Sequence, residues 1–282
     1  MQSYNIASWF EYARRQLIED GDHHSLELEI LVAHILSKSR SWVIAHPDIY
    51  LPPQIISQLN GLLTRLANGE PLPYLIGHWE FYGLDFKITP DVLIPRPETE
   101  LMVETALKWI APQKKDGVSA LDVGTGSGCI AITIAHHCHN THFLAMDISF
   151  PALRIAQKNI SRNKVTDQVY LIQANFLESL HTKFDLICAN LPYIPSRTLT
   201  KLPISRFEPR IALDGGPDGL FYINSLLKML PSHLTFDGLA LLEIESSQGE
   251  MILDLCKKYS CEYDLQIIND LAGHQRLAKL TF

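Results

Sequence analysis

The sequence predicts an α/β protein, with a doubly wound, mainly parallel sheet preceded by a small helical domain. Three observations support this fold class. From Ser119 onward, short apolar runs alternate with helical patterns, as in proteins built of βαβ units. The first 70 or so residues have helical periodicity and no alternating strand pattern. With 282 residues, 46% of them hydrophobic, the chain can bury the core that this fold requires.

Residues 1–72 are predicted to form the helical domain. A helix is expected over residues 25–37, and another after Pro52-Pro53, because proline is favourable at the start of a helix. The first helix has an apolar face at helical spacing, made by Ile6, Trp9, Phe10, Ala13 and Leu17. No catalytic cluster is visible in this stretch of sequence, so we expect it to contact a partner or to cap the larger domain.

A connector, residues 73–90, separates this domain from residues 91–282. Its aromatic and aliphatic residues around a central glycine predict a β-hairpin. The next loop carries Arg96 between Pro95 and Pro97, which restrict the backbone on both sides. A stiff loop with a charged tip is typical of a loop that lines a site, or of a rigid domain joint.

The larger domain is predicted to contain alternating strands and helices. Strands are expected from residue 119 and over 142–147, 169–174, 184–189, 239–245, 263–269 and 275–281. Helices are expected over 99–110, 128–138, 151–163 and 249–259. In doubly wound sheets, ligands bind at the carboxyl ends of the strands, near the switch in strand order. The residues that follow the strands are therefore the candidates for a site.

Glycines follow the first strand of this domain, in the run Gly124-Thr125-Gly126-Ser127-Gly128. Glycine lets a backbone approach a ligand closely. The spacing G-x-G-x-G departs from the dinucleotide fingerprint G-x-G-x-x-G. With Asp122 just before it, this loop suits a ligand that has no pyrophosphate. The alternative is a tight turn between a strand and a helix.

Polar and aromatic residues follow the next two strands. Asp147 ends the second strand, where a carboxylate can accept hydrogen bonds from ribose hydroxyls or cap a helix. Asn175 and Phe176 follow the third strand, where they could bind and stack on an adenine ring. A nucleoside without phosphate, carrying a cationic group, describes S-adenosyl-L-methionine.

The fourth strand ends in the tetrapeptide Asn190-Leu191-Pro192-Tyr193. An amide side chain offers an acceptor oxygen and two N–H donors, and an aromatic ring offers a flat apolar face. Together they could grip a planar group that carries an NH2. Asparagine and proline are also ordinary turn residues. The position of the tetrapeptide, fourth in a row of strand ends, favours a substrate-binding role.

Composition argues against several classes of protein. The formal net charge of −7 argues against a nucleic-acid partner. The five cysteines are odd in number and form no CxxC pair, which indicates a reducing, cytoplasmic location. No apolar run approaches the ~18 residues of a membrane helix, so no membrane contact is expected. His136, His137 and His139 lack a matching second cluster of ligands, so no metal site is expected.

Six stretches of the sequence together carry a family resemblance. They are VLIPRPETE (92–100), LDVGTGSG (121–128), MDIS (146–149), NLPYIP (190–195), EPRIALDGGPDGL (208–220) and DLAGHQR (270–276). The chain resembles the class I S-adenosylmethionine-dependent methyltransferases, and more closely the HemK family of protein-(glutamine-N5) methyltransferases. The resemblance covers essentially the whole chain.

The resemblance implies a Rossmann-like, seven-stranded sheet whose last strand is antiparallel. It implies methylation of the glutamine in a Gly-Gly-Gln loop of peptide chain release factors, with the amino-terminal domain recognising the release factor. Gly124 to Gly128 would wrap the methionine part of the cofactor, Asp147 would bind its ribose and Phe176 would lie beside its adenine. Asn190 would touch both cofactor and substrate.

The tetrapeptide predicts how the substrate amide is held. The oxygen of Asn190 and the backbone carbonyl of Leu191 would accept its two N–H hydrogens, and Tyr193 would pack on its plane. The usual family sequence is Asn-Pro-Pro-Tyr, so Leu191 is a departure that removes one backbone restraint. We expect Pro192 and Pro195 to hold the loop instead. Asn175, where an aspartate is common, keeps an acceptor oxygen.

Two other functions remain open from the sequence. One is a nucleic-acid methyltransferase acting on adenine N6 or a similar exocyclic amine, which would use the same tetrapeptide. The acidic balance of the chain disfavours it. The other is a catalytically silent binding module, which the intact glycines, Asp147 and Asn190 disfavour.

Overall fold

The computed structural model describes residues 4–17, 25–113, 117–177, 180–259 and 264–281. The chain divides into two compact units after Gly77. Residues 73–77 of the predicted connector therefore lie in the first unit, and residues 78–90 lie in the second.

The described part of the first unit is helical, as the sequence predicts. Its helices are α1 (Ile6–Gln16), α2 (Ser25–Leu36), α3 (Arg40–Ala45), α4 (Pro53–Ala67) and α5 (Leu72–Ile76). On the predicted apolar face of α1, Ile6, Trp9 and Ala13 are fully buried. The indole N–H of Trp9 donates to Oδ1 of Asn60 at 3.0 Å and so links α1 to α4. Helices α3 and α5 were not predicted, because each is too short to show a clear period.

The second unit begins with the predicted hairpin and continues into a seven-stranded sheet. The hairpin pairs β1 (His78–Phe81) with β2 (Leu84–Lys87). The sheet strands are β3 (Val118–Val123), β4 (Thr141–Asp147), β5 (Val169–Gln173), β6 (Phe184–Ala189), β7 (Leu234–Glu243), β8 (Asp264–Asn269) and β9 (Gln275–Thr281). Their order is β5-β4-β3-β6-β7-β9-β8, and among these described strands β9 runs opposite to the other six. The predicted sheet and its antiparallel last strand are confirmed.

The described helices of the second unit connect these strands. They are α6 (Glu100–Ile110), α7 (Cys129–His137), α8 (Phe150–Arg162), α9 (Ser196–Leu199), α10 (Phe221–His233) and α11 (Gly249–Lys258). None of the described helices is long and apolar enough to cross a membrane.

Most predicted elements of this unit begin within one residue of their observed positions. Residue 263, where the sixth strand was expected to begin, lies outside the described residues. The main error concerns α10, which was not predicted, and β7, which begins at Leu234 rather than at residue 239. Pro231 lies inside α10 and the strand follows the helix directly, so the usual signals of a helix end and a turn are missing.

The switch in strand order falls between β3 and β6. From β3 the chain builds β4 and β5 on one side and then returns to place β6 on the other. Val123 at the end of β3 pairs with Met146 of β4 and with Ala189 of β6. The residues that follow these strands therefore lie side by side, as the sequence predicted.

Candidate active site

A cavity opens at the carboxyl ends of β3, β4, β5 and β6, and most of the predicted site residues line it. These are Gly124, Thr125, Gly126, Ser127, Asp147, Phe176, Asn190, Leu191 and Pro192. Arg96 and Asn175 also line it, as their positions suggested. Gly128 and Tyr193 do not. The structure thus brings nine of the eleven predicted residues to one cavity, and their binding roles stay predictions.

Hydrogen bonds from outside the glycine loop hold it in place. The hydroxyl of Thr125 donates to Oδ2 of Asp122 at 2.6 Å. Nδ2 of Asn159, on α8, donates to the carbonyl of Ser127 at 2.8 Å. Burial raises the pKa of Asp122 to about 7. Asn159 was not singled out from the sequence, because it contacts the loop from 32 residues away along the chain.

Gly128 lies at the start of α7 rather than on the cavity. Its φ is +84°, and a Cβ there would lie 2.7 Å from Cδ1 of Ile132. The turn and the close packing therefore require glycine at this position. The predicted contact between Gly128 and the cofactor has no support from this geometry.

The carboxylate of Asp147 is held by two backbone N–H groups. Oδ2 accepts from the amide of Gly126 at 2.8 Å, and Oδ1 accepts from the amide of Ser149 at 2.8 Å. Burial raises the pKa of Asp147, and these hydrogen bonds oppose that rise. Each carboxylate oxygen has a further lone pair, so both can still accept from a bound diol.

Two aromatic rings form one wall of the cavity. The rings of Phe176 and Tyr222 have centroids 6.5 Å apart and planes 28° apart. Phe176 has a φ of +66°, a conformation that a large side chain rarely adopts. Such strained residues cluster at binding sites. Tyr222 lies near the start of α10, a helix without clear end signals in the sequence, so no local pattern selects it.

Two residues of the tetrapeptide that line the cavity, Asn190 and Leu191, carry oxygen acceptors. Nδ2 of Asn190 donates to Oγ1 of Thr99 at 3.2 Å. The NH2 group of the side-chain amide therefore already has a partner. Within the described part of the chain, neither Oδ1 of Asn190 nor the carbonyl oxygen of Leu191 accepts a hydrogen bond. Both oxygens are therefore available to N–H groups of a ligand.

The side chain of Leu191 is buried, with 6% of its surface exposed. It packs in the apolar core beside residues of β3 and β6. Its Cδ2 lies 3.2 Å from where a Cβ on Gly124 would be. Packing against the glycine loop thus restrains the tetrapeptide where the family's usual proline would do so.

Tyr193 is not among the residues that line the cavity. Its hydroxyl donates to Oε1 of Glu243 at 3.4 Å, and its carbonyl accepts from Nε2 of Gln248 at 3.2 Å. Burial and the nearby Glu243 charge raise the pKa of this phenol. The predicted packing of Tyr193 on a substrate amide stays a prediction.

The segment of residues 208–220 packs along the tetrapeptide. Ile194 donates its amide to the carbonyl of Leu213 at 3.1 Å, and Gly215 donates back to Ile194 at 2.8 Å. A Cβ on Gly219 would overlap the carbonyl oxygen of Tyr193. The sequence predicted only that this segment lies over the site, and its three glycines were the available sign of close backbone packing.

A buried carboxylate joins this segment to the Arg96 loop. Glu208 is 4% exposed. Its Oε1 accepts from Nη2 of Arg96 at 2.5 Å, and its Oε2 accepts from the amide of Ile94 at 3.4 Å. The Arg96 loop therefore lines the site and is held there, rather than acting only as a domain joint.

Comparisons with known proteins agree with this description. A family model described as the PrmC N-terminal domain matches residues 8–77. A model described as ribosomal protein L11 methyltransferase (PrmA) matches residues 101–205. A release factor glutamine methyltransferase from Moorella thermoacetica is 40% identical over 268 residues, which cover 94% of each chain. One from Bordetella pertussis is 36% identical over 268 residues, covering 94% of this chain and 97% of that protein.

Two solved structures share the fold at low sequence identity. One is the hMettl16 catalytic domain in complex with the MAT2A 3'UTR hairpin 6. It has a TM-score of 0.57, 13% identity and coverage of 82% of each chain. The other is human methyltransferase 10 domain containing protein, with a TM-score of 0.51, 18% identity and coverage of 71% of this chain and 89% of that one.

The fold and the row of strand-end residues define a class I methyltransferase. At 36–40% identity over nearly the whole length of both proteins, the resemblance noted in the sequence becomes an assignment. The chain belongs to the release factor glutamine methyltransferase family.

Proposed function

We propose that this enzyme transfers a methyl group from S-adenosylmethionine to the side-chain amide nitrogen, N5, of a glutamine in a release factor. The observation that carries this proposal is the pair of acceptors on Asn190 and Leu191 at the cavity. A primary amide has two N–H donors and requires two acceptors in a site that excludes water. We assign the target to the glutamine of the Gly-Gly-Gln motif, the substrate that the family resemblance implies.

The lining of the cavity fits this cofactor. Asp147 can accept from the ribose diol, and the rings of Phe176 and Tyr222 offer an apolar wall for adenine. The glycine loop leaves room beside β3 for the methionine part. When bound, S-adenosylmethionine supplies a sulfonium methyl that moves to the amide nitrogen, leaving S-adenosylhomocysteine and a proton for solvent.

The chain's own task is to position a poor nucleophile. An amide nitrogen is weakly nucleophilic, because its lone pair is delocalised into the carbonyl. Oδ1 of Asn190 and the carbonyl of Leu191 hold both hydrogens and favour a pyramidal nitrogen with a localised lone pair. Positioning of this kind can lower a barrier by ~7–11 kcal/mol. Acceptors aimed at developing positive charge act as the reverse of an oxyanion hole, where one lost partner costs ~3–4 kcal/mol.

We further propose that the helical domain recognises the release factor. The match of residues 8–77 to the PrmC N-terminal domain supports a function shared with this family. A release-factor substrate would make the enzyme cytoplasmic, and it would require no direct contact with nucleic acid or membrane.

One assay tests the proposed function. The enzyme is incubated with methyl-tritiated S-adenosylmethionine and, separately, a release factor, its Gly-Gly-Gln glutamine→Ala variant, tRNA, ribosomal RNA and DNA. We expect label in the intact release factor and none in the glutamine variant. Label in a nucleic acid instead would replace this function by exocyclic amine methylation. Calorimetry that detects no cofactor binding would favour the silent module.

A further inference from the structure

We propose that Thr99 and Glu243 are positioning residues that fix the orientation of the side-chain amide of Asn190. This inference rests on the proposed function, because it explains why the oxygen of Asn190, rather than its NH2, faces the substrate. Neither Thr99 nor Glu243 lies among the residues selected from the sequence.

The three side chains form one line of hydrogen bonds. Nδ2 of Asn190 lies 3.2 Å from Oγ1 of Thr99, and Oγ1 of Thr99 lies 2.6 Å from Oε2 of Glu243. Thr99 and Glu243 are each 2% exposed, so water does not replace these partners. The line joins three separate parts of the second unit: the loop before α6, the end of β6 and the last residue of β7.

The ionised carboxylate gives this line a direction. A carboxylate only accepts hydrogen bonds, and a hydroxyl has a single hydrogen to donate. Thr99 must therefore donate to Glu243, which leaves only lone pairs on Oγ1 for Asn190. Asn190 must turn its NH2 toward Thr99, and its Oδ1 then faces the cavity. In the reversed orientation, Oδ1 of Asn190 would face the lone pairs of Thr99 Oγ1. The NH2 group of Asn190 would then face the NH2 group of the substrate amide, and neither pair could form a hydrogen bond.

Other groups that face Glu243 set its charge. Its Oε1 accepts from the hydroxyl of Tyr193 at 3.4 Å. Burial raises the pKa of Glu243 to about 7. The charge of Arg276 on β9 lowers this pKa, and the charge of Glu98 before α6 raises it. The thiol of Cys129 on α7 also lies within electrostatic range. A protonated Glu243 becomes a donor, so the line can reverse and activity should fall below about pH 7.

Thr99→Val tests the line, with Thr99→Ser as its matched control. Valine keeps the shape of threonine and removes the hydroxyl, whereas serine keeps the hydroxyl. We expect Thr99→Val to lower kcat about 10- to 100-fold, with cofactor affinity and melting temperature close to wild type. Thr99→Ser should restore kcat to within a few-fold of wild type. A wild-type kcat for Thr99→Val, or an equal loss in both variants, would overturn the proposal.

Glu243→Gln tests the direction of the hydrogen bonds that join Asn190, Thr99 and Glu243. A glutamine can donate or accept, so it does not impose one orientation on Thr99. We expect kcat to be lowered at all pH values and the fall in activity below about pH 7 to disappear. Thr99→Ser is the control, because it keeps Glu243 and a hydroxyl that can donate to it, so it should keep the fall in activity below about pH 7. If the activity of Glu243→Gln still falls below about pH 7, the proposed direction of the hydrogen bonds, from Asn190 through Thr99 to Glu243, is wrong.

A measurement without substrate separates this inference from the proposed function. The NH2 signals of Asn190, assigned with Asn190→Asp in ¹⁵N-labelled protein, should exchange slowly in the wild type and Thr99→Ser. They should exchange faster in Thr99→Val. If the wild type methylates no release factor but shows this pattern, the proposed function fails and the positioning role stands. If all three exchange equally fast, the positioning role fails alone.

Discussion

Two neighbouring residues of the tetrapeptide have different kinds of task. Asn190 contributes its side-chain oxygen, whose orientation is set by Thr99. Leu191 contributes a backbone carbonyl, and its side chain is buried in the core. Substitutions should therefore affect chemistry at the first position and packing at the second.

At Asn190, truncation should remove the reaction and leave the fold. Asn190→Ala deletes one of the two acceptors and leaves a small space beside the cavity. We expect methylation of the release factor to fall by about 100-fold or more, with an unchanged melting temperature. Tritium incorporation and thermal unfolding measure the two effects. A fully active alanine variant would contradict the assignment of Asn190 as an acceptor for the substrate amide.

At Leu191, two variants separate packing from backbone stiffness. Leu191→Ala removes a buried side chain that packs beside Gly124, so it should lower the free energy of unfolding by about 2 kcal/mol or more. Leu191→Pro keeps the carbonyl and restores a backbone restraint, so turnover should change by less than about tenfold. Urea unfolding and initial rates give these values. A large gain or loss of turnover in the proline variant would show that stiffness matters more than the carbonyl alone.

Among the elements, the segment of residues 208–220 packs closely on the tetrapeptide, and the local sequence does not reveal this contact. Gly219→Ala should force the segment away from the carbonyl of Tyr193 and lower kcat about tenfold. Gly273→Ala is the matched control, because Gly273 also has a positive φ but has no atom within 4 Å of its would-be Cβ. Equal losses of activity in both variants would attribute the effect to backbone strain alone.

The ends of the strands were predictable, because a buried apolar run that ends at a glycine, an acidic residue or an amide residue is a local signal. Gly124, Asp147 and Asn190 were all found in this way, and the sheet brings them together. Tyr222 was not, since it lies on a helix without clear end signals. Thr99 and Glu243 were not, since 144 residues separate them and only the folded sheet makes them neighbours.

For the whole molecule, two buried carboxyl groups should make stability depend on pH. The pKa values of Asp122 and Glu243 rise to about 7 on folding, from ordinary values of 3.8 and 4.5, because both groups are buried. The folded state then binds more protons than the unfolded state between about pH 4 and pH 7. Stability due to these groups is therefore greatest at low pH and is lost as the pH rises to about 7.

Urea unfolding at pH 5.5 and pH 8 measures this dependence. We expect a lower midpoint at pH 8 in the wild type and a smaller difference in Asp122→Asn, which has no titrating group at that position. The carboxylates with lowered pKa values, such as Asp214 and Asp270, contribute little here, because they are ionised at both pH values. A wild-type midpoint that rises between pH 5.5 and pH 8 would contradict this expectation.

The ion pair between Arg96 and Glu208 has a consequence for how the enzyme folds. It joins residues 112 positions apart, and one of its members is buried. Such a contact gains little until the chain between its ends is already ordered, because closing a long loop costs entropy first. We therefore expect the walls of the site to assemble after the central strands have paired. A chain that has built its sheet but not yet closed this contact would be compact and catalytically silent, and methylation would report the last step of folding.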